Sequence, residues 1–168
     1  MMERDTFFMG FALIQARAAL EQHEFPVGCV IELGGEVVAS GSRDHSGGQA
    51  NEIDHAEINA LRYLVANGRV EDLSKVTVYS TMEPCLMCFS TLIVNGVRKI
   101  IYGYEDAMGG GTNLPLAELA PLYRKMDLEI RGGVMRSECL ELFKTFFTNQ
   151  QNSYLKDSYL ARYTLQQS

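Results

Sequence analysis

Residues 76–102 read VTVYSTMEPCLMCFSTLIVNGVRKIIY, and this stretch decides the fold class. Val76-Thr77-Val78-Tyr79 is β-branched and aromatic, the composition of a strand. Pro84 is placed as the first residue of a helix running to Asn95-Gly96, because proline suits a first helical position and glycine follows helix ends. Lys99 to Tyr102 forms a second short strand. Two neighbouring strands joined by a helical crossover run parallel, which predicts a layered α/β domain.

Working toward the N-terminus, His55 to about Ala66 reads as a helix with Ile58, Leu61 and Val65 on one face and Gly68 just past its end. The polar stretch Gly41 to Asp54, with Gly47-Gly48 inside it, reads as a loop long enough to matter functionally. Val27 to Leu33 and Glu36 to Ser40 flank Gly34-Gly35, a two-residue hairpin signal. Thr6 to about Glu21 carries Phe7, Phe8, Phe11, Ile14 and Ala18 near helical spacing, with Asp5 or Thr6 as its cap, and Pro26 ends that pattern. Toward the C-terminus a glycine turn at Gly109-Gly110-Gly111 leads to a helix around Leu116 to Lys125, then a strand at Leu128 to Arg131. An amphipathic helix follows, bearing Cys139, Leu142, Phe143, Phe146 and Phe147. The polar tail 150–168, with Tyr154, Tyr159 and Tyr163, reads as helical.

The chain of 168 residues matches one domain at about 150 residues per domain, so 1–168 is read as a single unit. Hydrophobic residues make 46% and charged residues 21%, which excludes extended disorder, collagen-like repeats and disulfide scaffolds. Fifteen Lys and Arg against 21 Asp and Glu give a net charge of −6, and no basic footprint for broad phosphate binding stands out. The start Met1-Met2-Glu3-Arg4-Asp5 lacks a secretory n-region. The apolar run Phe7 to Ile14 is far short of the roughly 20 residues that cross a bilayer. Four cysteines without an export signal point to a reducing compartment, and a cytoplasmic location with no membrane association is expected.

Two short motifs carry the chemistry: His55-Ala56-Glu57 and Pro84-Cys85-Leu86-Met87-Cys88. Cys85 and Cys88 are three apart at a helix start, so their sulfurs share a face. The positive helix N-terminus favours the thiolates that a metal requires. His55, at another helix start, reaches the same small volume. One nitrogen and two sulfurs suit Zn²⁺, and three protein ligands leave a fourth tetrahedral position for water, the count of a catalytic site. Zinc lowers the pKa of water from about 15.7 to about 7, and Glu57 is the candidate acid/base that moves protons to the leaving group.

The His-x-Glu and Pro-Cys-x-x-Cys pair resembles the signature of the zinc-dependent cytidine/deoxycytidylate deaminase superfamily. Within it the chain looks most like bacterial tRNA adenosine deaminases and the guanine and cytosine nucleobase deaminases. The resemblance spans about Phe7 to Phe147, including Pro26-Val27-Gly28, Met82-Glu83-Pro84-Cys85, Val97 to Gly103 and Glu105-Asp106-Ala107. It implies a three-layer α/β/α sandwich around a five-stranded mixed sheet, usually in a homodimer. It also implies one zinc ion per subunit on His55, Cys85 and Cys88, with Glu57 as proton shuttle. The Ala56 N–H would bond the substrate ring, Val27 would pack on its face, and Glu83 would offer a backbone carbonyl near the amine. Hydroxide attack at the amino-bearing ring carbon would expel ammonia.

Departures from the family pattern bear on the substrate. Arg43 stands where relatives commonly carry an asparagine that contacts base or sugar; a donor-only guanidinium there favours a carboxylate, phosphate or carbonyl-rich ring, or else folds outward. Thr148-Asn149-Gln150-Gln151 and Met108 replace the basic residues expected of a tRNA enzyme, and nucleic-acid affinity needs Lys or Arg. The expectation is therefore a small nucleobase-like substrate, a free base or nucleoside, with tRNA as the alternative and a non-catalytic zinc module as a minor one. Asp106 is a turn former or a contact to the substrate. The tyrosine-bearing tail either covers an active site, its own or a partner subunit's, or packs Tyr154, Leu155 and Tyr159 on the body. Cys29 and Cys139 read as buried apolar groups, and His23 and His45 as solvated residues, so none is expected as a fourth ligand.

Overall fold

A computed structural model describes residues 2–47, 51–68 and 70–168. Gly48, part of the expected loop, lies outside the described residues. In chain order the elements are α1 (Met2–Glu21), β1 (Gly28–Leu33), β2 (Glu36–Ser42), α2 (Ala56–Ala66), β3 (Thr77–Met82), α3 (Leu86–Val94), β4 (Lys99–Tyr104), α4 (Pro121–Arg124), β5 (Glu129–Arg131), α5 (Arg136–Thr148) and α6 (Tyr159–Gln166).

The strands form one five-stranded mixed sheet in the order β2-β1-β3-β4-β5. The β1/β2 hairpin turns at Gly34 and Gly35, which both take positive φ, 64° and 99°. That is the backbone of a two-residue turn whose twist suits the flanking strands. β1 also pairs antiparallel with β3, while β3/β4 and β4/β5 are parallel, with Val78 opposite Ile100 and Ile100 opposite Ile130. The crossover inferred from residues 76–102 is therefore observed, and a β-bulge between Ile31 and Glu32 shifts the β1/β2 register.

Helices cover both faces. Tyr79 and Ser80, neighbours on β3, point to opposite sides of the sheet. The Tyr79 hydroxyl donates to Asp5 of α1 at 3.1 Å, and the Ser80 hydroxyl donates to Glu57 of α2 at 2.9 Å. α1 also packs with α5, and α2 with α3. Sandwiched in this way, β3 is buried at every position, as expected of a central strand between two helical layers. At Gly41 on β2, a Cβ would sit 2.6 Å from the Ala60 backbone nitrogen. Glycine there lets α2, the helix that carries Glu57, lie directly on the sheet.

Some boundaries differ from expectation for local reasons. The first helix begins at Met2, four residues earlier than Thr6, and Asp5 is not its cap but a buried acceptor for Tyr79 and Arg131. Pro84 precedes the helix it was expected to open: Cys85 is the N-cap, with φ −65° and ψ 170°, and Leu86 is the first helical residue. The helix expected over Leu116 to Lys125 is broken into a 3₁₀ turn at Leu116–Glu118 and the short α4. Pro121 has no N–H to continue a helix and holds Ala120 extended, at ψ 156°. The tail is helical only in α6, where the Ser158 side chain caps the Ala161 N–H at 3.1 Å. No helix among the described residues is long and apolar enough to cross a membrane.

Candidate active site

Two helix starts and one strand face converge at the C-terminal end of β3. His55 is the N-cap of α2, Cys85 is the N-cap of α3, and Cys88 lies in the first turn of α3. Their ligand atoms all lie within 4.8 Å of one another. The His55 Nδ1 is 3.6 Å from the Cys85 Sγ and 3.4 Å from the Cys88 Sγ. A tetrahedral zinc with bonds of about 2.0–2.1 Å to nitrogen and about 2.3 Å to sulfur sets an N···S edge near ~3.5 Å. The donor set therefore fits one zinc ion in both chemistry and spacing. Among the described residues no fourth His, Cys, Asp or Glu joins the three, which leaves a coordination position open. Cys29 and Cys139 are buried free thiols elsewhere in the core.

The charge state of the cluster suits a metal. The Cys85 thiol is lowered to about 4, first by the Cys88 thiol that donates to it and, against the cost of burial, by His55. Cys88 is raised far above the ordinary thiol range because it keeps the shared proton, and burial and Glu57 add to this. Burial disfavours the His55 imidazolium, but Cys85 and Glu57 outweigh it and hold its pKa above the usual value.

Glu57, two residues from His55, is buried at 3% exposure. Ser80 donates to its Oε1, while its Oε2 lies 3.5 Å from the Cys88 Sγ. Burial raises its pKa, and its own backbone N–H and His55 partly offset that. A carboxyl whose pKa is raised by burial beside a metal site is suited to taking and returning a proton.

His55, Glu57 and Cys85 line a cavity of about 210 Å³ that also touches Val27, Arg43, Ala56, Glu83 and Asp106, while Cys88 and Ser80 lie buried behind it. Val27 holds the start of the polar loop, its carbonyl accepting the Arg43 N–H at 2.8 Å. Arg43 is 2% exposed, and its guanidinium is turned to the carbonyls of Asp44 and Asn51, at 3.0 and 2.8 Å, and to Glu52. The Glu83 carboxylate accepts from the Thr112 side chain and the Asp106 N–H, fastening the 106–112 loop over the cavity. Asp106 accepts from the N–H groups of Met108 and Gly109, the bonds of a turn former, and burial raises its pKa.

Phe25, Glu52 and Ser80 carried no sequence signal, whereas Met82 belongs to the stretch of resemblance and Tyr154 and Leu155 to the tail expected to cover a site or pack on the body. Phe25 and Met82 form apolar wall, and Glu52 lies at the rim. Ser80 sits behind Glu57; strand alternation sets it opposite Tyr79, but only the placement of α2 shows what it meets. From the tail, Tyr154, Leu155 and Leu160 of the same chain close one side of the cavity. Tyr159, grouped with them in the surface-packing alternative, is 54% exposed.

Comparison with known proteins places this geometry in a family. Residues 2–104 match the cytidine and deoxycytidylate deaminase zinc-binding region. The tRNA-specific adenosine deaminase of Agrobacterium fabrum is 33% identical over 152 residues, 89% of this chain and 98% of that protein. A solved structure from a study of A-to-I editing by tRNA:A34 deaminases at the wobble position of transfer RNA is 31% identical, with a TM-score of 0.67, over 82% of this chain and 99% of that one. The guanine deaminase of Nitrosomonas europaea shares the fold at 20% identity and a TM-score of 0.68, over 84% of this chain and 83% of that one. With its His/Cys/Cys site and the match over residues 2–104, the chain belongs to the family of zinc-dependent cytidine and deoxycytidylate deaminases.

Proposed function

We propose that the chain hydrolytically deaminates adenosine to inosine, with an adenosine of tRNA as the substrate. The observation that carries the chemistry is Glu57, buried beside three zinc-ligand atoms on the floor of a cavity sized for one base. The similarity to tRNA-specific adenosine deaminases, across nearly the whole length of the relative, outweighs the free-base expectation drawn from net charge and from Arg43.

In this reading His55, Cys85 and Cys88 hold zinc, which supplies Lewis-acid activation of the attacking water. Glu57 accepts a proton at Oε2, the oxygen on the ligand side, while Ser80 keeps Oε1 in place. The carboxyl then returns the proton on the departing side. One water proton ends on the ring nitrogen and one on ammonia, and the ring carbon keeps a carbonyl. Val27 and Phe25 pack the ring, the Ala56 N–H at the start of α2 binds its edge, and the Glu83 carbonyl faces the amine.

A free nucleobase or nucleoside is the second reading. It is favoured by the enclosure of the cavity by Tyr154, Leu155 and Leu160, and by the lining, where Arg43 is the only Lys or Arg among the described residues. Turnover of an anticodon stem-loop against free adenosine, adenine, guanine and cytosine decides between them. Inosine formed in the stem-loop supports the tRNA reading, and ammonia from a free ring alone supports the second.

A further inference from the structure

The carboxylate of Glu52 is a junction between the metal site and the C-terminal segment. Its Oε2 accepts from the Tyr154 hydroxyl at 3.0 Å and from the Arg43 Nη2 at 3.2 Å, and it lies 3.3 Å from the His55 Nε2. Tyr154 comes from 102 residues further along the chain. Its ring packs against Phe25, centroids 5.4 Å apart, and lies 5.7 Å from the Arg43 guanidinium carbon. His55 turns Nδ1 toward both sulfurs. A neutral imidazole bears one N–H, so the tautomer that frees Nδ1 for a metal carries its proton on Nε2, and Glu52 stands where that proton points. A carboxylate in this position fixes the ligand's ring and tautomer and makes it a better donor.

We propose that Glu52 is a positioning residue for the zinc site, holding His55 as the Nε2–H tautomer and coupling zinc affinity to the docking of the C-terminal segment through Tyr154. The proposal rests on His55, Cys85 and Cys88 as zinc ligands and not on which base is deaminated. Glu52 has 57% of its side chain exposed, so replacing it opens no hole in the apolar core, and the buried Arg43 that loses this partner keeps its bonds to the Asp44 and Asn51 carbonyls. Its effect is expected at the low end of the roughly 10–100-fold that outer carboxylate partners contribute to metal affinity.

The test is zinc affinity, measured by competition with a chromophoric chelator, on the wild-type chain and on Glu52→Ala, Glu52→Gln, Tyr154→Phe and the Glu52→Ala/Tyr154→Phe pair. Glu52→Ala is expected to weaken zinc about tenfold, and Glu52→Gln, which keeps an acceptor, to weaken it less. Tyr154→Phe is expected to weaken zinc in the wild-type background and to add nothing to Glu52→Ala, the signature of residues acting through one another. By linkage, zinc should protect the 150–158 segment from limited proteolysis in the wild-type chain and lose that effect in Glu52→Ala. Unchanged zinc affinity in Glu52→Ala overturns the proposal, and so does an equal loss from Tyr154→Phe in both backgrounds. Failure of the wild-type chain to bind zinc overturns the ligand assignment beneath it. Turnover of any base, present or absent, does not enter the result.

Discussion

Ser80 on β3 donates its hydroxyl proton to Oε1 of Glu57 on α2 across 2.9 Å, with both residues buried. The bond pins one carboxylate oxygen and leaves the other directed at the ligand cluster. Ser80→Ala is expected to lower kcat about tenfold, the cost of taking from the buried Oε1 the side-chain donor that orients it, with KM and zinc content nearly unchanged. Ser80→Thr keeps the hydroxyl and should restore most of the loss. Steady-state kinetics with metal analysis checks this, and equal activity in the serine and alanine forms would remove Ser80 from the account.

Zinc uptake should release protons in a pattern set by the three ligands. Cys85, with its thiol lowered to about 4, is already a thiolate near neutrality, so the proton lost is the one Cys88 retains. His55, with a raised pKa, adds a second as pH falls toward and below that value. Titration calorimetry in buffers of different ionisation enthalpy should therefore count more protons at lower pH. Cys85→Ser should bind zinc far more weakly and melt at a lower temperature, because the free energy of metal binding is shared with folding. A zinc-loaded, fully stable Cys85→Ser chain would contradict the ligand set.

Glu105, just past β4, ties the C-terminal helices to the sheet. Arg136 of α5 donates to it through Nε at 2.8 Å and Nη2 at 2.5 Å, and Tyr163 of α6 donates at 2.9 Å. Burial opposes ionisation, but Arg136, the Glu105 backbone N–H and Tyr163 outweigh it and hold the pKa below its ordinary 4.5. A lowered folded-state pKa means stabilisation that is complete above the unfolded value and lost as pH falls through the folded one. Thermal melts should show the wild-type chain losing stability below about pH 4.5 more steeply than Glu105→Gln. Parallel curves for the two would show that Glu105 has no part in acid sensitivity.

The parts of the fold legible in the sequence are those encoded by near neighbours. Val76 to Tyr79 and Lys99 to Tyr102 are β-branched runs around a helix, and Gly34-Gly35 supplies the positive φ that the hairpin needs. The candidate zinc cluster was legible because His55 and Glu57 come in one compact motif and Cys85 and Cys88 in another, each at a helix start, although only the fold brings the two motifs together. The helix expected over Leu116 to Lys125 was not, because the apolar spacing there hides the effect of Pro121 on Ala120. Nor were the roles of Glu52 and Ser80, or the partner of Tyr154, because the groups they meet lie on other elements. Period-two alternation sets Ser80 opposite Tyr79, but nothing local says that α2 covers that face. The route by which Tyr154 returns to Glu52 is a property of the tertiary structure.

The most direct measurement is inosine formation in a tRNA anticodon stem-loop by the zinc-loaded chain, with Glu57→Gln as the comparison and free adenosine, adenine, guanine and cytosine alongside. The account predicts inosine and ammonia from the stem-loop, and a loss of at least ~10²-fold in Glu57→Gln with zinc still bound. Wild-type turnover by zinc-loaded Glu57→Gln, or ammonia from a free base with the stem-loop adenosine untouched, would contradict it.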